Sequence, residues 1–122
     1  MNKGIKLNLG ASPIWKQKDW YILDHKIKKN SSFKIAGSAK SMKLGSNTCS
    51  VIFCSHVFEH ISHIDLPLVI AEINRVLKKN GVLRILTPDL EKICRAYVNK
   101  DKKWFKKARE EDETVATGFG ST

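Results

Sequence analysis

Read from the N-terminus, Ile5-Lys6-Leu7-Asn8-Leu9 alternates apolar and polar side chains and then meets Gly10, as a strand entering a turn does. Trp20-Tyr21-Ile22-Leu23 is short, aromatic and branched, and Asp24 stops it, which predicts a second strand. Phe33-Lys34-Ile35-Ala36, closed by Gly37-Ser38, predicts a third, and Gly45-Ser46-Asn47 marks a turn. Val51-Ile52-Phe53-Cys54 is continuously apolar, the pattern of a strand buried on both faces. A change of period follows. Leu66, Val69, Ile70, Ile73, Val76 and Leu77 recur at three- and four-residue spacing, predicting one helix with a continuous apolar face. Asp65 stands at its N-cap and Pro67 in its first turn. Lys78-Lys79 suit its negative end, and Asn80-Gly81 offers a left-handed stop.

Val82-Leu83-Arg84-Ile85-Leu86 then reads as a fifth strand ending at Thr87-Pro88. Asp89 is placed to cap a further helix through Leu90, Ile93, Cys94 and Tyr97. From Asn99 onward the chain is charged and ends in a Gly/Ser/Thr tail, predicting an exposed helix with a frayed terminus. Strand, long helix, strand is a βαβ unit, so the sheet is expected to be parallel and the fold α/β. One tension stands. Parallel neighbours usually need a crossover of about a dozen residues, yet only Gly10 to Asp19 and His25 to Ser32 separate the first three strands. Either those crossovers hold no full helix, or one of the strands is wrong.

Composition narrows the classes. The 122 residues, 42% of them hydrophobic, fit one domain with its own core. No apolar run approaches the roughly 20 residues of a membrane span, and no signal-like stretch precedes Gly10. Three cysteines, Cys49, Cys54 and Cys94, form no C-x-x-C pair, so a disulfide framework is not expected and a reducing, cytoplasmic setting is. Lys+Arg 22 against Asp+Glu 12 gives a net charge of +10, which permits binding to nucleic acid. That reading is not favoured, because only Arg75, Arg84, Arg95 and Arg109 are arginines, the planar forks that read bases and phosphates. Trp104-Phe105 among lysines offers stacking for bases, but such a pair more often packs a helix onto its own domain.

In an open parallel sheet, ligands lie beyond the carboxyl ends of the strands, near where strand order reverses. The residues there are Gly10-Ala11-Ser12, Asp24-His25, Gly37-Ser38-Ala39, Ser55-His56 and Pro88-Asp89. Glycine lets backbone approach a ligand, and a carboxylate at the second strand's end suits a ribose diol. Their order matters more than any one of them. LNLGAS…DWYILD…IAGSA…VIFCSHVFEHI…INRVLKKNGVLRILTPDL resembles the class I S-adenosylmethionine-dependent methyltransferases, most of all a small bacterial, type-11-like branch. The resemblance runs from about Lys6 to Val98, and HVFEHI with NRVLKKNGVLRI is its specific part.

The resemblance implies a Rossmann-like, doubly wound, mostly parallel sheet of about five strands, with reduced first crossover helices and S-adenosyl-L-methionine over the strand ends. Residues 1–98 would form the cofactor-binding domain, and 99–122 a charged helix with a flexible tail. By position, Gly10, Ala11 and Ser12 would line the methionine moiety, with Asn8 where an acidic residue is common. Asp24 would hold the ribose hydroxyls, Ser38 and Ala39 would face the adenine, and Ser55 with His56 would close over the donor. One glycine remains in the first loop, and Ser38 replaces the carboxylate that often receives the adenine amino group, which implies weakened affinity. His56, Glu59 and His60 are the nearest candidates for a catalytic base, since imidazole titrates close to neutral pH. Against that stands a capping and orienting role for Glu59 and His60 in the loop.

The family sheet normally adds an antiparallel pair of strands after the fifth, and the chain has too few residues left for it. It is therefore expected to be truncated there, with an uncovered sheet edge that suits a homodimer. The expected chemistry is methyl transfer to a small-molecule or saccharide-type acceptor. A non-catalytic module that keeps the fold is the alternative. His56 to His60 also fits the H-x-x-E-H pattern of inverted zinc peptidases, with His63 nearby, but that chemistry needs both histidines on one helical face. No metal is expected.

Overall fold

The computed structural model describes residues 4–12 and 14–116, the side chains of 111–116 excepted. Pro13 and the Gly/Ser/Thr tail lie outside the described residues. Five strands form one sheet: β1 (Ile5–Leu9), β2 (Trp20–Asp24), β3 (Lys34–Ala36), β4 (Cys49–Ser55) and β5 (Leu77–Leu86). Their order is β3-β2-β1-β4-β5, and every pairing is parallel. The chain therefore winds outward from β1 to β3 and then crosses back to the other side of β1. This is the Rossmann-like α/β arrangement, with its reversal of strand order between β1 and β4.

Among the described residues, the short crossovers hold no helix. After β2, the Asp24 carboxylate accepts the Lys26 N–H at 2.8 Å and the Asp24 carbonyl accepts the Ile27 N–H, turning the chain at once. Phe33 drops out of the third strand because it sits at φ +62°, in a tight turn where Ser31 and Lys34 exchange backbone hydrogen bonds. Its ring packs instead on Tyr21, with centroids 4.8 Å apart.

Leu7, Leu9, Leu23, Ile35, Ile52 and Cys54 point to one face of the sheet, which helix α1 (Leu66–Val76) covers with Val69, Ile73 and Val76. Burying that set supplies most of the hydrophobic stabilisation, at about 1.5–3 kcal/mol per large side chain. The opposite face is more thinly covered. Val51 and Phe53 on β4 are only half-buried, so the strand is not enclosed on both sides as its apolar run suggests. Trp15 lies edge-on to Trp20 there, with centroids 6.3 Å apart.

The helix ends earlier than the periodicity predicts. Leu77 is extended and pairs with Cys49, so Lys78 and Lys79 belong to β5 and do not complement a helix end. Sheet pairing outweighs one more turn of helix. The register then jumps, Val51 pairing with Val82, and the extra residues loop out with Asn80 at φ +66°. Gly81 serves a different need, since a Cβ on it would come within 2.8 Å of the Lys78 carbonyl oxygen. Ile70, placed on the apolar face by its spacing, is 50% exposed. β5 is an edge strand, with Val82, Leu83 and Ile85 exposed.

Asp89 caps α2 (Leu90–Val98) by accepting the Lys92 N–H at 3.1 Å. α3 (Lys102–Ala116) starts where the Asp101 carboxylate accepts the Trp104 N–H. Only Ala96 of α2 is buried, so Leu90 and Tyr97 do not form a packed face. Among the described residues, no helix is long and apolar enough to cross a membrane.

Candidate active site

The carboxyl ends of β1, β2, β3 and β4 open into one cavity of about 480 Å³, within the range of small-molecule sites. Its position follows from the strand reversal, which splays the loops after β1 and β4 apart. Gly10 forms part of the wall at φ +80°, and a Cβ there would lie 2.6 Å from the Val57 Cγ2. Glycine is therefore required at this turn on both conformational and steric grounds. Asp24 ends β2 at the wall, 6% exposed, with its carboxylate accepting from the Lys26 N–H and lying 3.4 Å from His25 Nδ1.

The loop after β3 contributes Gly37, Ser38, Ala39 and Lys40. Ser38 Oγ accepts the Lys40 N–H at 3.1 Å and shapes the turn. A clamp from α1 fixes the far end of this loop. Arg75 donates to Glu72 through Nε at 2.7 Å, to the Met42 carbonyl at 3.0 Å and to Ser46 Oγ at 3.2 Å, while Glu72 accepts the Met42 N–H at 2.7 Å. The Arg75 hydrogen bond, helped by that of Met42, holds the Glu72 carboxyl below the usual carboxylate range.

After β4 the chain turns sharply, with His56 at φ +53°, into a 3₁₀ turn over Phe58–His60. His56 Nδ1 lies 3.2 Å from Glu59 Oε2. With Nδ1 donating to that carboxylate, Nε2 keeps its lone pair. His56 and His60 both line the cavity, and Glu59 stands behind His56. Among the described residues, no group of three or more His, Cys, Asp and Glu is placed to hold a metal ion. The 3₁₀ turn also keeps His56 and His60 off a common α-helical face.

The structure thus brings together Gly10, Asp24, Ser38, Ala39, His56 and His60 around one space. Asn8, Ala11, Ser12 and Ser55 do not line it. Asn8 is buried in β1, and Ser12 turns inward to its own loop, its carbonyl accepting the Trp15 N–H. Lys40, Ile61, Ser62, Asp65 and Val69 line the cavity without having been singled out as binding residues. Asp65 carried the one available signal, a carboxylate at a helix start, and it makes no capping hydrogen bond to that helix.

A family model described as a methyltransferase domain matches residues 21–85, more than half of the 122 residues. The chain belongs to that family. No curated protein and no solved structure matches it. The matched span contains Asp24, the Ser38–Ala39 turn and the whole His56–His60 segment. Domains of this family take S-adenosylmethionine as methyl donor, so the methyltransferase chemistry of the chain is transfer from that cofactor.

The residues present fit the cofactor. Asp24 offers a buried carboxylate at a strand end, the chemistry a ribose diol needs. Gly10 lines the same cavity, the space of its missing side chain being taken by Val57. Ser55 Oγ, at the end of β4, is buried with no hydrogen-bond partner among the described residues and does not reach the cavity.

Proposed function

We propose that this methyltransferase domain methylates a small-molecule or saccharide-type acceptor in the cytoplasm. The observation that carries the reading is the buried carboxylate of Asp24 beside Gly10 in a cavity at the strand reversal. Asp24 would hold the ribose hydroxyls, Gly10 the methionine portion, Ser38 and Ala39 the adenine, and His56 the region next to the donor methyl. Asn8, Ala11 and Ser12, expected at the methionine portion, and Ser55, expected over the donor, do not line the cavity and take no contact in this reading. When bound, the cofactor supplies a sulfonium-activated methyl group for in-line displacement.

The protein's own share is positioning, exclusion of water and one proton. His56 Nε2 would accept the proton of an acceptor hydroxyl or amine, with Glu59 fixing the ring through Nδ1 at 3.2 Å. His60, on the same wall, is the second candidate for that role. Three free cysteines, two of them buried, support a reducing compartment. The bare edge of β5 is where a second copy would add.

Calorimetric titration with S-adenosylhomocysteine tests the reading. The wild-type chain is expected to bind, and Asp24→Asn to bind about ten- to a hundredfold more weakly, the worth of one charge-assisted hydrogen bond. No heat with the wild-type chain would overturn it. Binding without methyl release to any acceptor of a hydroxyl and amine panel would favour the non-catalytic module.

A further inference from the structure

We propose that α2 and the start of α3 form a docking surface for an anionic lipid bilayer, on which the helices lie without crossing it. Helix α2 is apolar along one side, where Leu90, Cys94, Tyr97 and Val98 recur at three- and four-residue spacing. In most surface helices such a stripe packs on the core. Here it faces outward: Leu90 is 71% exposed, Tyr97 77% and Val98 75%, and Cys94 is exposed as well. A different side of α2 meets the domain, marked by the buried Ala96 and the half-buried Ile93. The stripe is therefore an uncovered apolar patch, of the kind that marks a contact surface.

Charge decides what covers it. Residues 90–109 hold eight cations against two carboxylates, six of the chain's ten net positive charges. α2 ends where Lys100, at φ +52°, turns the chain, its N–H donating to the Tyr97 carbonyl and that of Asp101 to the Ala96 carbonyl. Asp101 then caps α3, so the second helix starts beside the end of the stripe. Lys102, Lys103, Lys106, Lys107 and Arg109 follow with no carboxylate among them. An apolar stripe bordered by cations fits the boundary between anionic headgroups and acyl chains, where the apolar side chains sink and the ammonium groups stay at the phosphates. A second copy of this surface would set like charge against like charge. A nucleic acid would pair with the lysines and leave the stripe in water. Lysine serves a headgroup layer as well as arginine does, because the attraction needs charge and no planar fork.

The test is flotation of the full chain with vesicles of phosphatidylcholine, alone or with about one-third phosphatidylglycerol. Binding is expected to the anionic vesicles only, and to fall as salt screens it. A polarity-sensitive dye on Cys94, within the stripe, should shift to the blue on those vesicles. Leu90→Ser combined with Tyr97→Ser should weaken partition by about tenfold or more. Lys103→Ala combined with Lys107→Ala should weaken it by about ten- to thirtyfold. Lys28→Ala combined with Lys29→Ala, at equally exposed sites after β2, should change it by less than about threefold, which separates this surface from the overall charge. All the replaced side chains are exposed, and thermal melting reports whether each fold survives. No binding to the anionic vesicles overturns the inference. So does binding that the Leu90 and Tyr97 substitutions leave unchanged, or that the Lys28 and Lys29 pair weakens as much as the Lys103 and Lys107 pair. A lipid-free dimer that the Leu90 and Tyr97 substitutions dissociate, or a DNA duplex bound in preference to the vesicles, overturns it as well.

Discussion

Gly10→Ala offers the sharpest check on the site's construction. The residue is held at φ +80°, where a side chain costs about 1–2 kcal/mol. The added Cβ would stand 2.6 Å from Val57 Cγ2 and 3.3 Å from Cγ1. Carbon atoms prefer about 3.5–4.0 Å, so Val57 must retreat by close to 1 Å. Its χ1 is stiff because it is β-branched, so rotation offers little relief. Overpacking of this kind costs about 1–3 kcal/mol. The total, about 2–5 kcal/mol, is a large part of the 5–15 kcal/mol that holds a typical domain. Urea unfolding followed by tryptophan fluorescence measures it. The same substitution made in a Val57→Ala background should lose the steric part and keep the backbone part, giving a coupling energy of about 1–3 kcal/mol. A Gly10→Ala variant within about 0.5 kcal/mol of wild type would refute the argument.

The Glu72–Arg75 clamp should make stability pH-dependent. Its carboxyl is held below the usual range, so its contribution is full above the unfolded value and is lost as pH falls through the folded one. The urea midpoint of wild type should therefore fall toward that of Glu72→Gln below about pH 4, closing a gap of roughly 1 kcal/mol; a gap that stays constant to about pH 3 would refute it. Burial pushes the Cys54 thiol up to about 12 and raises that of Cys49, whereas Cys94 is exposed. Native protein should give one fast equivalent with a disulfide reagent and three after unfolding, and three fast equivalents would contradict the packing. Sedimentation equilibrium should find a dimer that Leu83→Lys and Ile85→Lys, on the β5 edge, return to monomer; wild-type monomer at high concentration would exclude that partner.

Much of the sheet is legible in the residues themselves, because alternation and apolar runs report directly on burial. The short links between the first three strands are not. Whether they hold helices depends on turns such as that at Asp24, where a side chain bonds to backbone two residues on. The early end of α1 is equally hidden, since nothing local tells Leu77 to leave the helix and pair with Cys49. Of the site, the residues at strand ends can be found by position. Lys40, Ile61 and Val69 cannot, because loops and a helix from distant parts of the chain deliver them to the cavity. Asp65 shows how far position can mislead: its place in the sequence says cap, yet it makes no capping bond and lines the cavity.

β1 lies at the middle of the sheet, hydrogen-bonded to β2 on one side and to β4 on the other. Its pairing of Ile5 with Cys49 closes a long stretch of chain before any contact there repays the lost entropy. Folding is thus governed by non-local contacts, and the rate should fall with the slower mixed α/β domains. A ribosome-bound chain can pair its first strand on one side only, with the second, until the fourth has emerged.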